Sequence, residues 1–274
     1  MRRITWIASY PKSGNTWVRA IVDRIVHHER AFDINALGET APSFSGLTQE
    51  FVKRNEIKLS GSAPGEVRRW RTPVQREICE AADQPVFLKT HNVAARFDSG
   101  PFPDPEFTAG AIYIVRDPRD VALSYAHHYK MTLGLAVVAL CTSSAFNIKQ
   151  EALGLTELLM SWGEHVQGWT SLKARPLLVL RYEDLLADPA EGVRRIGAFL
   201  DRPLAPDQLA AIVAATSFDQ LRGQEKAHGF NESVRPDGFF RAGTAGQWRA
   251  TPDPSAFAPL LDKNARIMKK HGYL

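Results

Sequence analysis

The sequence predicts an α/β fold in which a doubly wound parallel β-sheet is flanked by helices. Three observations predict it. Four short apolar runs, I-T-W-I-A-S from Ile4, V-F-L-K-T from Val86, A-I-Y-I-V from Ala111 and L-L-V-L-R from Leu177, lack the polar alternation of a half-exposed sheet. Segments with helical spacing lie between and after them, the alternation that builds parallel sheets. The first run stops at Pro11, bends through Gly14 and restarts as a helix, a strand–turn–helix unit. The length of 274 residues suits one large α/β domain or two modest ones; with no repeat or low-complexity tract, residues 1–274 are read as a single domain.

Each element follows in order. After the Ile4 strand, Val18, Ile21, Val22, Ile25 and Val26 recur at i, i+3, i+4, which predicts an amphipathic helix to about His28. From Arg30 to Gln84 Pro, Gly and Ser are scattered among charges, so irregular segments and short helices are expected over the sheet. The Val86 strand ends in Leu88-Lys89-Thr90-His91. The Ala111 strand runs into Arg116, and then Asp117 as N-cap, Pro118 as N1 and Asp120 as N3 start a helix. Further helices are expected over Leu155–Trp169, Ala190–Leu200 and Pro206–Ala215; no fifth strand is placed.

Composition narrows the class. Apolar residues at 44% and charged residues at 23% are ordinary globular values. A net charge of +4 is too small to call for nucleic acid and suits a small polyanion. The two cysteines, Cys79 and Cys141, lie far apart without a C-x-x-C partner, which reads as reduced thiols in a cytoplasmic protein. No signal peptide fits the first residues, and the most apolar stretch, Leu133 to Cys141, is far short of the roughly 20 residues that cross a bilayer.

Chemistry-bearing residues gather at the ends of the predicted strands, where open α/β sheets bind ligands. The bend Lys12-Ser13-Gly14-Asn15-Thr16 aims free amides and a helix N-terminus at one point, and adds an ammonium and side-chain donors. That is a phosphate site, although by itself the pattern also describes a tight turn with an exposed lysine. The lysine precedes the glycine, unlike the Gly-Lys-Ser/Thr of a nucleotide triphosphatase. Lys89 and His91 fall on one side of the second strand, a cation beside a titratable imidazole. Arg116 offers a planar fork of donors to a phosphate, and Ser124 lies two turns along the helix from Asp117. The alternative for Arg116 is an ion pair with Asp120. Gly238 to Arg249, G-F-F-R-A-G-T-A-G-Q-W-R, reads as a loop able to fold over an anion.

In order and spacing, S-Y-P-K-S-G-N-T-W, L-K-T-H, Y-I-V-R-D-P-R-D-V-A-L-S, L-R-Y-E-D-L, T-S-F-D-Q-L and F-F-R-A-G-T-A-G-Q-W resemble the cytosolic-type sulfotransferases, across residues 4 to 249. The resemblance implies a P-loop-type architecture and 3′-phosphoadenosine 5′-phosphosulfate (PAPS) as sulfuryl donor, without a metal. It implies that Lys12, Ser13, Gly14, Asn15 and Thr16 take the 5′-phosphosulfate end, and that Arg116, Ser124, Arg241, Ala242 and Gly243 form the 3′-phosphate site. Trp17, Tyr182, Thr216 and Phe218 match positions around adenine. His91 matches the catalytic base, and Lys12 and Lys89 match the lysines at the transferred group. The sequence departs from the family in three places. Asn15 stands where many animal members have threonine, Ala242 replaces a lysine, and Gln247 and Arg249 differ from the usual Asp and Lys. The animal-type dimer signature is absent from T-P-D-P-S-A-F-A-P-L, so that dimer mode is not carried over.

The expected reaction is in-line transfer of the sulfuryl group to a hydroxyl or amine of a small, apolar acceptor, with His91 as base. Phe97, Phe102 and Phe107 are expected to form an apolar acceptor wall, and His127–Met131 reads either as lining or covering the acceptor pocket or as a helix end packed on the core. The alternatives are a non-catalytic sensor of the 3′-phosphoadenylate and a P-loop small-molecule kinase. The second lacks a Gly-Lys-Ser/Thr loop and magnesium ligands.

Overall fold

A computed structural model of the chain describes residues 1–57, 69–97, 100–143, 146–150, 155–173, 175–233 and 238–274. The four apolar runs form one parallel sheet: β1 (Ile4–Ser9), β2 (Val86–Thr90), β3 (Thr108–Val115) and β4 (Leu177–Arg181), in the spatial order β2-β1-β3-β4. Because β1 is central, its register fixes the others, with Ile7 level with Lys89 on one side and with Ile112 on the other.

The period of two along each strand sorts side chains between two cores. Trp6, Ala8, Leu88 and Tyr113 point to one face, where they meet Phe44, Val74, Trp162, Trp169 and Met268. Ile7, Phe87, Ile112 and Ile114 point to the other and meet Val18, Ile21, Val22, Ile25, Val193 and Ile196. Both faces are therefore covered, which is why none of the four strands alternates in polarity. The larger core is stapled by aromatic edges, with Trp6 against Phe44 and Phe102 at centroid distances of 5.2 Å and its indole N–H donating to Thr108 Oγ1 at 3.0 Å.

Helix α1 (Asn15–Val26) follows β1 and ends two residues before the position read from its periodicity. Between Arg30 and Gln84 the described residues form short helices, as expected, among them α2 (Phe44–Arg54) and α3 (Arg71–Ala81); residues 58–68 lie outside the described residues. Helix α4 (Pro118–Tyr129) starts as predicted, with the Asp117 carboxylate accepting from Arg119 N–H. The apolar stretch Leu133–Cys141 is helix α5, with Ala136, Val137 and Leu140 buried. Among the described residues no helix is long and apolar enough to cross a membrane.

One predicted helix is corrected. Leu155–Leu158 is a strand, antiparallel to Phe146–Gln150, and α6 (Trp162–Thr170) begins only afterwards. A capping box sets that start: Ser161 Oγ accepts from Glu164 N–H, and the Glu164 carboxylate accepts from Ser161 N–H at 3.0 Å. After β4 come α7 (Tyr182–Ala187), α8 (Pro189–Phe199), α9 (Pro206–Ala215) and α10 (Phe218–His228), with α11 (Ala258–Lys270) closing the larger core.

Candidate active site

The carboxyl ends of β1, β2 and β3 and the start of α7 open onto one cavity of about 760 Å³. Lys12, Gly14, Asn15, Thr16, Trp17, Lys89, His91, Arg116, Ser124, Tyr182, Phe218, Arg241, Ala242 and Gly243 all contribute to its wall. Six separate chain segments thus converge. Ser13 and Thr216 lie just behind the wall, each 1% exposed, and the Thr216 hydroxyl donates to Ile212 O at 2.8 Å. The neighbouring Ser217 reaches the cavity instead.

The β1–α1 loop is held in an unusual shape. Gly14 has φ 103, and a Cβ there would lie 2.8 Å from Tyr182 Cδ2, so a side chain is excluded both by strain and by the ring. Lys12 itself has φ 69, a left-handed conformation that costs a non-glycine residue about 1–3 kcal/mol. Asn15 pins the loop from below, its Nδ2 donating to Ile7 O at 3.1 Å and to Ser9 Oγ at 3.3 Å. The Lys12 ammonium lies 3.3 Å from His128 Nδ1 and 4.0 Å from the centre of the Phe239 ring.

His91 is fixed from several sides. Its Nδ1–H donates to Ser9 O at 2.8 Å, which leaves the lone pair on Nε2. Its backbone is tied down as well: the carbonyl accepts from His165 Nε2–H at 3.0 Å, and the N–H donates to Glu157 Oε1 at 3.4 Å. Burial holds His165 neutral, pushing its pKa down to about 4. Its Nδ1 then accepts from the Tyr113 hydroxyl at 2.9 Å.

Arg116 braces three segments. Nη1 donates to Lys12 O at 3.2 Å, Nη2 donates to Thr244 O at 3.0 Å, and the guanidinium carbon lies 4.2 Å from the centre of the Tyr182 ring. Its distance to Asp120 is 3.9 Å with both side chains buried, so the ion pair exists but is no surface contact. The Asp120 carboxylate chiefly anchors the terminal loop, accepting from Gly246 N–H at 2.6 Å and from Trp248 N–H at 3.0 Å. Glu225 does the same for the amides of Phe239 and Phe240. Gly243 (φ 62) packs so closely that a Cβ would meet Phe218 Cδ2 at 2.3 Å. Arg241 Nη2 donates to Gln247 Oε1 at 2.5 Å.

The wall therefore carries cations from β1, β2, β3 and the terminal loop, and Glu232 as its one carboxylate among the described residues. Several buried polar atoms at this loop and wall have no protein partner among the described residues: Ser13 Oγ, Asn15 Oδ1, Arg116 Nε and Ser43 Oγ. Buried groups left so cost about 1–3 kcal/mol each, and their grouping beside lysines and free loop amides fits a ligand with anionic oxygens. Toward β4 the wall becomes apolar, with Trp17, Tyr182, Leu186, Pro189, Val213 and Phe218.

At the β2 end the wall differs from expectation. Phe102 and Phe107 are 2% and 0% exposed inside the larger core and do not reach the cavity. Instead Ser43, Ser45, Gly46 and Gln49 arrive on α2, which a backbone bridge between Ser43 and Lys89 holds beside β2. His128 and Tyr129 line the cavity, as read for the segment His127–Met131, and Phe239 faces it too. Glu232 and the α2 residues escaped the sequence reading. Nothing local in the sequence marks S-F-S-G or N-E-S as a wall segment.

Comparison with known proteins gives a consistent result. The profile of the Sulfotransferase domain family matches residues 2–265. Sulfotransferase 1A1 of Bos taurus is 31% identical over 254 residues, covering 89% of this chain and 76% of the relative. Flavonol 3-sulfotransferase of Flaveria bidentis is 25% identical over 262 residues, covering 89% and 75%. Among solved structures, retinol dehydratase in complex with androsterone and the inactive cofactor PAP superposes with a TM-score of 0.61 at 22% identity, covering 96% of this chain and 81% of that one. A mouse sulfotransferase complexed with PAP gives 0.60 at 19% identity, covering 96% and 85%.

Proposed function

The chain belongs to the sulfotransferase domain family, and on that premise we propose that it uses PAPS to sulfate a hydroxyl or amine of a small acceptor. The observation that carries this reading is the convergence of Lys12, Lys89, Arg116 and His91 on one cavity, with His91 Nδ1 committed to Ser9 O. PAPS, when bound, supplies an activated sulfuryl group whose bond to the 5′-phosphate oxygen breaks as the bond to the acceptor forms.

The residues divide the work by strand. Lys12 and the amides of the β1–α1 loop neutralise charge that develops on the leaving phosphate. Lys89, one strand away, steadies the sulfuryl oxygens. Nε2 of His91 takes the acceptor proton as its oxygen or nitrogen attacks sulfur, because the hydrogen bond from Nδ1–H to Ser9 O directs the lone pair to Nε2. Arg116, Ser124, Arg241 and the backbone at Gly243 hold the 3′-phosphate, where Ala242 contributes no charge. Trp17, Tyr182 and Phe218 enclose adenine, with Thr216 behind them; PAP in the solved neighbours supports the nucleotide as ligand. Tyr129 and Phe239 replace the expected phenylalanines as the flat apolar surface against which an acceptor ring rests.

The test is incubation with PAPS and a panel of phenols, alcohols, amines, lipids and sugars, with sulfated products read by mass spectrometry. A sulfated product from at least one class is expected. Binding of adenosine 3′,5′-bisphosphate with no product from any class overturns the enzymatic reading in favour of a sensor.

A further inference from the structure

Lys89 ends a four-carbon stem with free rotation about each bond, so strand position alone does not fix where its ammonium sits. A second group does. The Lys89 ammonium lies 3.3 Å from Glu232 Oε2, and Glu232 is gripped from behind by Arg19, whose Nη1 is 2.7 Å from Oε1 and 2.9 Å from Oε2. Arg19 is 1% exposed on α1 and is not a wall residue, so it touches the cavity only through this carboxylate. A guanidinium buried that deeply is costly without a paired anion, and among the described residues its Nη1 is paired with Glu232. The sequence positions 19, 89 and 232 are far apart, so the relay is a product of the fold.

We propose that Glu232, half-buried and paired with the buried Arg19, is a positioning device that holds the Lys89 ammonium at the transferred group. The proposal rests on the sulfotransferase reading above and extends it to two residues outside the motifs. Glu232 is suited to the task because its charge is constant. Burial pushes its carboxyl up, but the charges of Lys89 and Arg19 and their hydrogen bonds outweigh that and hold it at about 2. The carboxylate therefore keeps its charge through the neutral range, and the Lys89 ammonium keeps a charged partner there.

The experiment compares Glu232→Gln, Glu232→Asp, Lys89→Met and the double variant Lys89→Met/Glu232→Gln, using an acceptor found active in the panel. Glu232→Gln keeps the shape and removes the charge; kcat is expected to fall about tenfold to a hundredfold, the scale of a misplaced catalytic group. Affinity for adenosine 3′,5′-bisphosphate by titration calorimetry should stay as in the unmodified protein, which also reports folding. Glu232→Asp should recover part of the loss. The double variant should be no slower than Lys89→Met alone, because the carboxylate acts through that lysine. Arg19→Gln should reproduce the Glu232→Gln defect from behind.

Three results overturn the proposal: an unchanged kcat in Glu232→Gln; a lower KM for PAPS at constant kcat, meaning that the carboxylate competes with the donor; or losses that multiply in the double variant. If the unmodified protein binds the bisphosphate yet transfers nothing to any acceptor, the enzymatic reading falls and takes this proposal with it.

Discussion

At His91 one hydrogen bond decides which ring nitrogen is basic. With Nδ1–H donated to Ser9 O, removal of the imidazole should remove the proposed base and spare the cationic wall. His91→Ala is expected to lose about 10²–10⁴-fold in kcat, with bisphosphate affinity by calorimetry unchanged; near-full activity would remove His91 from the mechanism. His165 behind it titrates in the opposite sense to a paired histidine. Its folded pKa is depressed from 6.5 to about 4, so between those values the unfolded chain binds more protons. Its contribution to stability is present above pH 6.5 and is lost as pH falls toward 4, by about 3 kcal/mol at most. Urea midpoints measured from pH 7 to 4 should decline, and less steeply in His165→Asn. Residues of the first kind were legible because motif and strand end coincide in L-K-T-H. His165 was not, because its role comes from a turn of backbone 74 residues away.

Among elements, the β3–α4 junction braces the terminal loop against the cavity. Asp117 and Pro118 start the helix, and Asp120 in its first turn receives two amides of the terminal loop. Asp120→Asn should loosen that loop: amide exchange at Gly246 and Trp248 should accelerate, and bisphosphate affinity should fall about tenfold, the worth of one charged hydrogen bond. Unaltered exchange would mean that the loop is held elsewhere. The junction was readable as a helix start from D-P-R-D, but the receiver role of Asp120 was hidden by a separation of 126 residues. The four strands were readable because both faces are buried and their sequences are continuously apolar. Their order was not, since registers such as Ile7 with Lys89 arise from long-range pairing. The helix read over Leu155–Trp169 failed where S-W-G-E resets the chain, a local cap that outranks the apolar spacing on either side.

At the scale of the molecule, the two cores share one sheet, and we expect residues 1–274 to unfold as a single unit. Calorimetry should give one transition; two would divide the chain. Adenosine 3′,5′-bisphosphate at about a hundred times its dissociation constant should add about 2.7 kcal/mol. At the same concentration 5′-AMP, which offers nothing to Arg116 and Arg241, should add much less. The strand order gives this preference a further meaning. With neighbours set about 4.8 Å apart, the three intervals from β2 to β4 amount to about 14 Å, and the ladder of backbone bonds keeps that pitch from stretching. On the proposed function the row of strand ends is then a gauge, and length is what it would check: inorganic sulfate or a truncated anhydride could rest at one mark, but only a molecule long enough to reach both ends would be brought to a stop with its sulfur beside the imidazole.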